Sequence, residues 1–333
     1  MEITAKAPTR IDLAGGTLDI WPLYLFFDET VTINAAINLY ATAKLQTLPD
    51  SRIEVFSRDQ NESVEVDGLS SLSTEGKLPL LARLIRHFAP AQGFRLETDC
   101  MAPAGSGLGG SSALAIAVSG ALNELTHKAY SREDLIAVCR DIEAQVLGIP
   151  TGEQDYYAAA YGGLNAWRFR VQNVERESYP LPLADLQERI VLFYTGRSRN
   201  SGLNNWKVFK SCIDGEPSIA AAFRKIKEET SRLHSALKTG DWGEAYEAIH
   251  NEWIARKELA PSITTPEIED LIEFGITNGS RTGRVCGAGG GGCVVFMIDS
   301  FTRPYLCELA KERGYNLLPF ELVSDGLTIE TKS

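Results

Sequence analysis

The sequence has little with which to cross-link itself or to hold a metal. Its 333 residues include six Cys and four His. No two cysteines stand as CxxC and the histidines show no ligand spacing, so neither a zinc site nor a redox dithiol is indicated. The pattern predicts reduced thiols in a cytoplasmic protein, with Cys286 and Cys293 read as small buried hydrophobes. No uncharged apolar run approaches membrane-spanning length. Met1-Glu2-Ile3-Thr4 has no basic stretch followed by an apolar one, so no secretory signal is expected. Cations are in deficit: 33 Lys and Arg against 44 Asp and Glu give a net charge of −11. That argues against nucleic acid as the main partner, because phosphate neutralisation needs clustered Lys and Arg. A GxxxxGK[ST] phosphate loop is absent too, as are internal repeats and low-complexity tails.

What is present is a globular composition, 44% hydrophobic and 23% charged, in a chain long enough for one large domain or two ordinary ones. Strand patterns at Ile3–Ala7, Ile37–Gln46, Arg52–Ser57 and Ser63–Val66 precede an amphipathic helix at Leu78–Phe88 and a strand at Phe94–Met101. Strands followed by helices give an α+β class rather than a steady βαβ alternation. Ser131 with Asp134 predicts a capping box opening a helix to Val146. A hairpin at Leu164–Phe169 and Val174–Tyr179 leads to Pro180-Leu181-Pro182, which divides the chain into units 1–183 and 184–333. The second unit reads as a strand at Arg189–Tyr194, helices carrying Ile219 to Leu237, Ala245 to Trp253 and Pro266 onward, a strand at Cys293–Ile298, a helix at Thr302–Arg313, and a last strand at Asn316–Val323.

One stretch carries most of the chemistry: Pro103-Ala104-Gly105-Ser106-Gly107-Leu108-Gly109-Gly110-Ser111-Ser112-Ala113. It joins a strand to a small-residue helix. Its glycines allow tight turns and close approach of N–H groups, and the helix start adds unpaired donors and a positive dipole end. Together these favour an anion, most naturally phosphate. The stretch also fits GxGxxG, but so does Gly287-x-Gly289-x-x-Gly292, and both cannot open a dinucleotide fold. Pro103 within the connection and the lack of an acid-ended second strand speak against that fold. Two further clusters stand apart: Arg10, Gly15, Gly16 and Asp19 in Pro8–Asp19, and Glu143 with Asp155. Phosphoryl transfer needs such parts: donors around the phosphates, a metal held by hydroxyl and carboxylate, and a base or orienter at the attacking hydroxyl. Ser111 or Ser112 with Glu143 is expected to hold Mg²⁺. Asp155 is expected to take or orient the hydroxyl proton, with Arg10 as its partner. Arg197, Arg199, Lys207 and Lys210 make a basic cluster that could receive a substrate phosphate.

The phosphate stretch resembles that of the GHMP kinases, and the resemblance runs through nearly the whole chain. Pro8–Asp19 is similar to the substrate motif of the sugar-kinase branch. Glu143 to Asp155, as E-x4-G-x3-G-x2-D, is similar to the segment with the metal-linked Glu and catalytic Asp. Cys286–Gly292 is similar to the family's C-terminal glycine loop. Within the branch, the likeness is greatest to kinases of heptose 7-phosphate and fucose. Gly16 stands where galactokinases carry a sugar-binding Glu, and Leu18 where relatives usually carry Thr. The resemblance implies a two-domain fold, an N-terminal α+β domain with a left-handed βαβ unit and a C-terminal ferredoxin-like domain. It implies an ATP- and Mg²⁺-dependent kinase of a sugar or sugar phosphate, acting at an anomeric hydroxyl. Pro103, Gly105, Ser106, Gly107, Leu108, Gly109, Gly110, Ser111 and Ser112 would bind ATP. Arg10, Gly15, Gly16, Asp19, Asp155, Arg199, Gly289 and Gly290 would meet the acceptor. A nonenzymatic nucleotide or sugar sensor on the same fold is the competing class, and the oligomeric state is left open.

Overall fold

The computed structural model describes residues 1–197 and 201–332, with 201–205 as backbone only. The first half contributes β1 (Glu2–Ala14), β2 (Thr30–Thr47), β3 (Ile53–Ser57), β4 (Glu62–Val66), α1 (Pro79–Phe88), β5 (Phe94–Cys100), α2 (Gly110–Thr126), α3 (Arg132–Leu147), α4 (Gln154–Tyr161), β6 (Leu164–Phe169) and β7 (Val174–Ser178). The second contributes α5 (Leu183–Gln187), β8 (Ile190–Tyr194), α6 (Ser201–Ile213), α7 (Pro217–Thr239), α8 (Trp242–Lys257), α9 (Pro266–Thr277), β9 (Ser280–Val285), β10 (Cys293–Ile298), α10 (Arg303–Glu312) and β11 (Thr328–Lys332). No described helix is long and apolar enough to cross a membrane.

The larger sheet runs β11-β1-β2-β5-β3-β4, with β6 on β2 and β7 on β6. Strand β2 serves two neighbours in turn: Thr30 to Ala35 pair with β6, and Ala41 to Thr47 with β5. Strands β3 and β5 are parallel, joined through β4 and α1, so this half holds one crossover unit within an otherwise antiparallel sheet. Helix α2 packs on the sheet with Ala113, Ala115, Ala117 and Ala121 fully buried; the small side chains let its backbone lie close to β1 and β2. Ser131 and Asp134 form the expected capping box on α3, an arrangement worth about 1 kcal/mol.

Strand β1 is longer than its alternation suggests. Pro8 cannot donate a ladder hydrogen bond, which ends the sequence pattern at Ala7. The chain instead passes through a register shift between Ala7 and Thr9 and continues to Ala14. Arg10 and Asp12 therefore project from a rigid strand, and only residues 15–19 form the loop.

The smaller sheet is antiparallel, β8-β10-β9. A fourth position is reduced to one bridge, Phe193 to Leu317, flanked by Tyr194 N–H to Asn316 O (2.9 Å) and Leu318 N–H to Leu192 O (2.8 Å). This corrects the expected strand at Asn316–Val323. By Leu322 the chain has crossed to bridge Ile37 on the larger sheet, so the segment is divided between two sheets. It then supplies β11, which pairs with β1 from Glu2 to Lys6. The all-exposed, polar Thr-Ile-Glu-Thr-Lys of β11 gives no inward face to read from sequence.

Candidate active site

The glycine stretch after β5 turns through three left-handed glycines, Gly105, Gly107 and Gly109. Helix α2 starts at Gly110, two residues before Ser112. Its N-cap is Gly109 at φ 75°, with no side-chain cap. Ser111 therefore lies inside the helix instead of capping it, and no side chain shields the first-turn N–H groups of Gly110, Ser111 and Ser112, which line a cavity of about 470 Å³. A Cβ on Gly109 would come within 3.2 Å of the Asp155 carboxyl group. Glycine is what lets the loop and the acid meet.

The second glycine run lies directly against the first. Cys293 donates its N–H to Ser106 O at 2.7 Å. A Cβ on Gly292, whose φ is +84°, would be 2.5 Å from the same oxygen. Gly287 and Ala288 reach the cavity. Gly289 and Gly290 turn instead to Ile263, Gly290 donating its N–H to Ile263 O at 2.7 Å, so these two candidates stand behind the wall. Gly15 also faces inward, donating to Glu252 Oε1 at 3.2 Å. Leu108 is fully buried beneath the loop.

Four separated elements bring the polar groups together. Arg10 of β1 donates from Nε to Asp155 Oδ1 at 2.7 Å and from Nη1 to Gly107 O at 2.5 Å. One guanidinium thus ties the acid to the phosphate loop. Burial alone would favour a neutral Arg10, but Asp155 and then Asp12 outweigh it and hold the charge. Glu143 of α3 is buried and accepts from Ser111 Oγ at 2.6 Å and Ser112 Oγ at 3.3 Å. Tyr156 OH of α4 donates to it as well. Burial pushes the Glu143 carboxyl upward against these three donors. The unfavourable place of Glu143 near the end of α3 has its counterpart here: the carboxylate serves a neighbouring helix start.

Asp19 is nearly fully buried and accepts the Gln154 N–H at 3.0 Å. Burial raises its carboxyl to about 7. The folded chain therefore keeps a proton that the unfolded chain releases near its ordinary 3.8. Ionising Asp19 costs stability that accumulates as pH climbs between those values and is constant above them. Asp19→Asn is expected to raise the thermal midpoint near pH 8 but not near pH 4, by an amount bounded at about 4 kcal/mol. An equal gain at both pH values would overturn the buried-charge account.

Sequence reasoning missed the far end of the cavity, lined by Asp59, Gln60, Leu78, Leu80, Val146 and Leu147. Leucine and valine at helix ends give no signal of a ligand. It also missed Asp12 and Gln154 on the cavity wall. The basic cluster does not line the cavity among the described residues: Arg197 pairs with Glu267 at 2.8 Å and Lys210 with Asp214. Arg199 lies outside the described residues.

The description "GHMP kinases N terminal domain" matches residues 78–163 and "GHMP kinases C terminal" residues 233–308. D-glycero-alpha-D-manno-heptose 7-phosphate kinase of Campylobacter jejuni is 30% identical over 98% of both chains. The chain belongs to the GHMP kinases. It is accordingly an ATP-dependent phosphotransferase with the two-domain fold of that family. A D-glycero-D-manno-heptose 1-phosphate kinase from Bacteroides thetaiotaomicron superposes with a TM-score of 0.80 at 25% identity, covering 99% of each chain. Lactococcus lactis galactokinase, at 18% identity, has a TM-score of 0.76 over 98% of this chain and 95% of its own, a likeness of fold alone. In this kinase the two matched ranges flank the cavity. The first contains the phosphate loop, Glu143 and Asp155, and the second contains the Gly287–Gly292 run against that loop.

Proposed function

We propose that this kinase transfers the γ-phosphoryl group of ATP to the anomeric hydroxyl of a heptose 7-phosphate. The observation that carries the reading is the Arg10–Asp155 pair. It stands where the phosphate loop meets the carboxylate-rich end of the cavity, with Gly107 O on the same guanidinium. The ATP phosphates would take the free N–H groups at the start of α2, and the adenine would lie against Leu78, Leu80 and Val146. At the other end Asp12, Asp19 and Gln154 would take sugar hydroxyls. Asp155 would accept the proton of the attacking hydroxyl or hold it in line, while Arg10 keeps Asp155 ionised and meets charge on the transferred group. Ser111, Ser112 and Glu143 are hard oxygen donors of the kind Mg²⁺ takes, and a bound Mg²⁺ would neutralise phosphate charge. We take the units as 1–183 and 184–333, with β11 returned to the first sheet.

The heptose assignment leans on the full-length likeness to the Campylobacter enzyme. One observation favours a second reading, a neutral sugar such as fucose. Arg10 is the one cation among the described lining residues, beside Asp12, Asp19, Asp59, Glu143 and Asp155, and it is already engaged. ADP release with D-glycero-D-manno-heptose 7-phosphate and with the unphosphorylated heptose separates the readings. A preference of at least about a hundredfold in kcat/KM for the phosphate is expected, the scale of a site built for a buried charged group. Equal values would leave the neutral-sugar reading, and no ADP release with any sugar would leave a sensor.

A further inference from the structure

Behind the sugar end of the cavity lie four fully buried charges from three elements. Glu252 and Arg256 face each other on α8, with Nη2 to Oε1 at 2.5 Å. Arg284 of β9 joins Glu252 Oε2 at 3.1 Å and Asp12 Oδ2 of β1 at 3.2 Å. None is more than 2% exposed. A balanced set of two cations and two anions hidden from water costs desolvation, and a well-packed apolar set would often be as stable. Its contacts suggest what it is for.

Four hydrogen bonds run from this network to the end of β1 and the turn that follows it, three of them to backbone, while Asp12 Oδ1 and Arg284 Nε keep no partner of their own. Arg284 Nη1 donates to Leu13 O at 2.6 Å. Glu252 Oε1 accepts Gly15 N–H at 3.2 Å. Arg256 Nη2 donates to Gly16 O at 2.9 Å, and its Nη1 to Thr17 Oγ1 at 3.3 Å. Thr17 sits at φ 73°, a left-handed conformation that a β-branched residue resists. The turn is thus held from the C-terminal half in a shape it would not keep alone. Gly16, Thr17 and Asp12 line the cavity, whereas Glu252, Arg256 and Arg284 do not. The spacing is tight: a Cβ on Gly16 would be 2.7 Å from the Asp12 oxygen that Arg284 holds.

We propose that Glu252, Arg256 and Arg284 are positioning residues that set the acceptor-binding shape of the end of β1 and the 15–17 part of the loop after it, so that docking of the second half against β1 and recognition of the sugar are one event. The proposal rests on the turn being the acceptor side of the cavity. It asks nothing of the nucleotide end, where the phosphate loop is fixed by Arg10 and by the second glycine run.

The test is Arg256→Lys, which keeps the charge but cannot fork between Glu252, Gly16 O and Thr17, together with Glu252→Gln, which keeps the shape and loses the charge. Steady-state kinetics are measured with whichever sugar the wild type phosphorylates, so an incorrect choice of heptose leaves the experiment intact. The KM for the acceptor is expected to rise at least about tenfold in both variants, with the KM for ATP within about twofold, as for a lost positioning contact. Ile254→Ala, an exposed neighbour on α8, should change neither. Equal rises in both KM values, a fall in kcat alone, or lowered thermal stability with both KM values unchanged would overturn the proposal. If Glu252→Gln does not fold, Arg256→Lys decides. Loss of fold in both would make the network a structural staple and also overturn it.

Discussion

Asp155→Asn is expected to lower kcat by roughly a hundredfold or more, the usual scale for losing a positioned base, while ATP affinity changes little. Two effects add. The amide cannot accept the hydroxyl proton, and it leaves the buried Arg10 facing Gly107 O without the counter-ion that keeps it charged. Asparagine preserves the shape, so residue 155 still packs against Gly109, where an added Cβ would lie 3.2 Å from its carboxyl group, and the phosphate loop keeps its path. Steady-state kinetics beside titration calorimetry with ATP separate the two quantities. A fall in kcat of under about threefold would assign the rate to positioning alone, without a base. A matching loss of ATP affinity would mean that Arg10, and not Asp155, had been disturbed.

Gly292→Val is expected to weaken ATP binding by roughly ten- to a hundredfold, although residue 292 is remote in sequence from the phosphate loop. Its backbone is left-handed, and a Cβ would sit 2.5 Å from Ser106 O and 2.7 Å from the Ser106 carbonyl carbon. Relief requires Gly292 or the phosphate loop to shift, and the backbone strain alone is about 1–3 kcal/mol. Gly240→Ala is the control: its φ is +70° as well, but nothing lies within 4 Å of an added Cβ. It should lower thermal stability without touching ATP affinity. Calorimetry showing Gly292→Val and Gly240→Ala with the same ATP affinity would detach the two glycine runs from one another.

The parts legible in the sequence are those whose chemistry is local. A strand, a run of glycines and a helix start form an anion site whatever surrounds them, and Ser131 with Asp134 announces a helix within four residues. The pairing of Glu143 with Ser111 and Ser112 was within reach because a carboxylate near a helix C-terminus is out of place electrostatically. The buried network was not legible. Glu252 and Arg256 have the i, i+4 spacing of an ordinary solvated helix pair, and Arg284 lies in Ser-Arg-Thr-Gly-Arg-Val, which looks too polar for a buried strand. Contact with the end of β1 and the loop after it, more than two hundred residues earlier, makes these charges interior. For the basic cluster, neighbours in sequence need not be neighbours of the cavity: Arg197 and Lys210 pair with acidic residues of their own, and Arg199 lies outside the described residues.

The pairing of residues 2–6 with 328–332 bears on how the protein is made. On the ribosome, β1 emerges before β2 and can pair with it early, but its other edge must wait until residues 328–332 have been synthesised. Contacts of such long sequence separation are slow to form. Until then Glu2–Lys6 presents an unpaired ladder beside the buried Ile3 and Ala5, an edge to which another nascent chain could add. The larger sheet is completed only when β11 arrives, and the interval before it is when this edge most needs dilution or a chaperone.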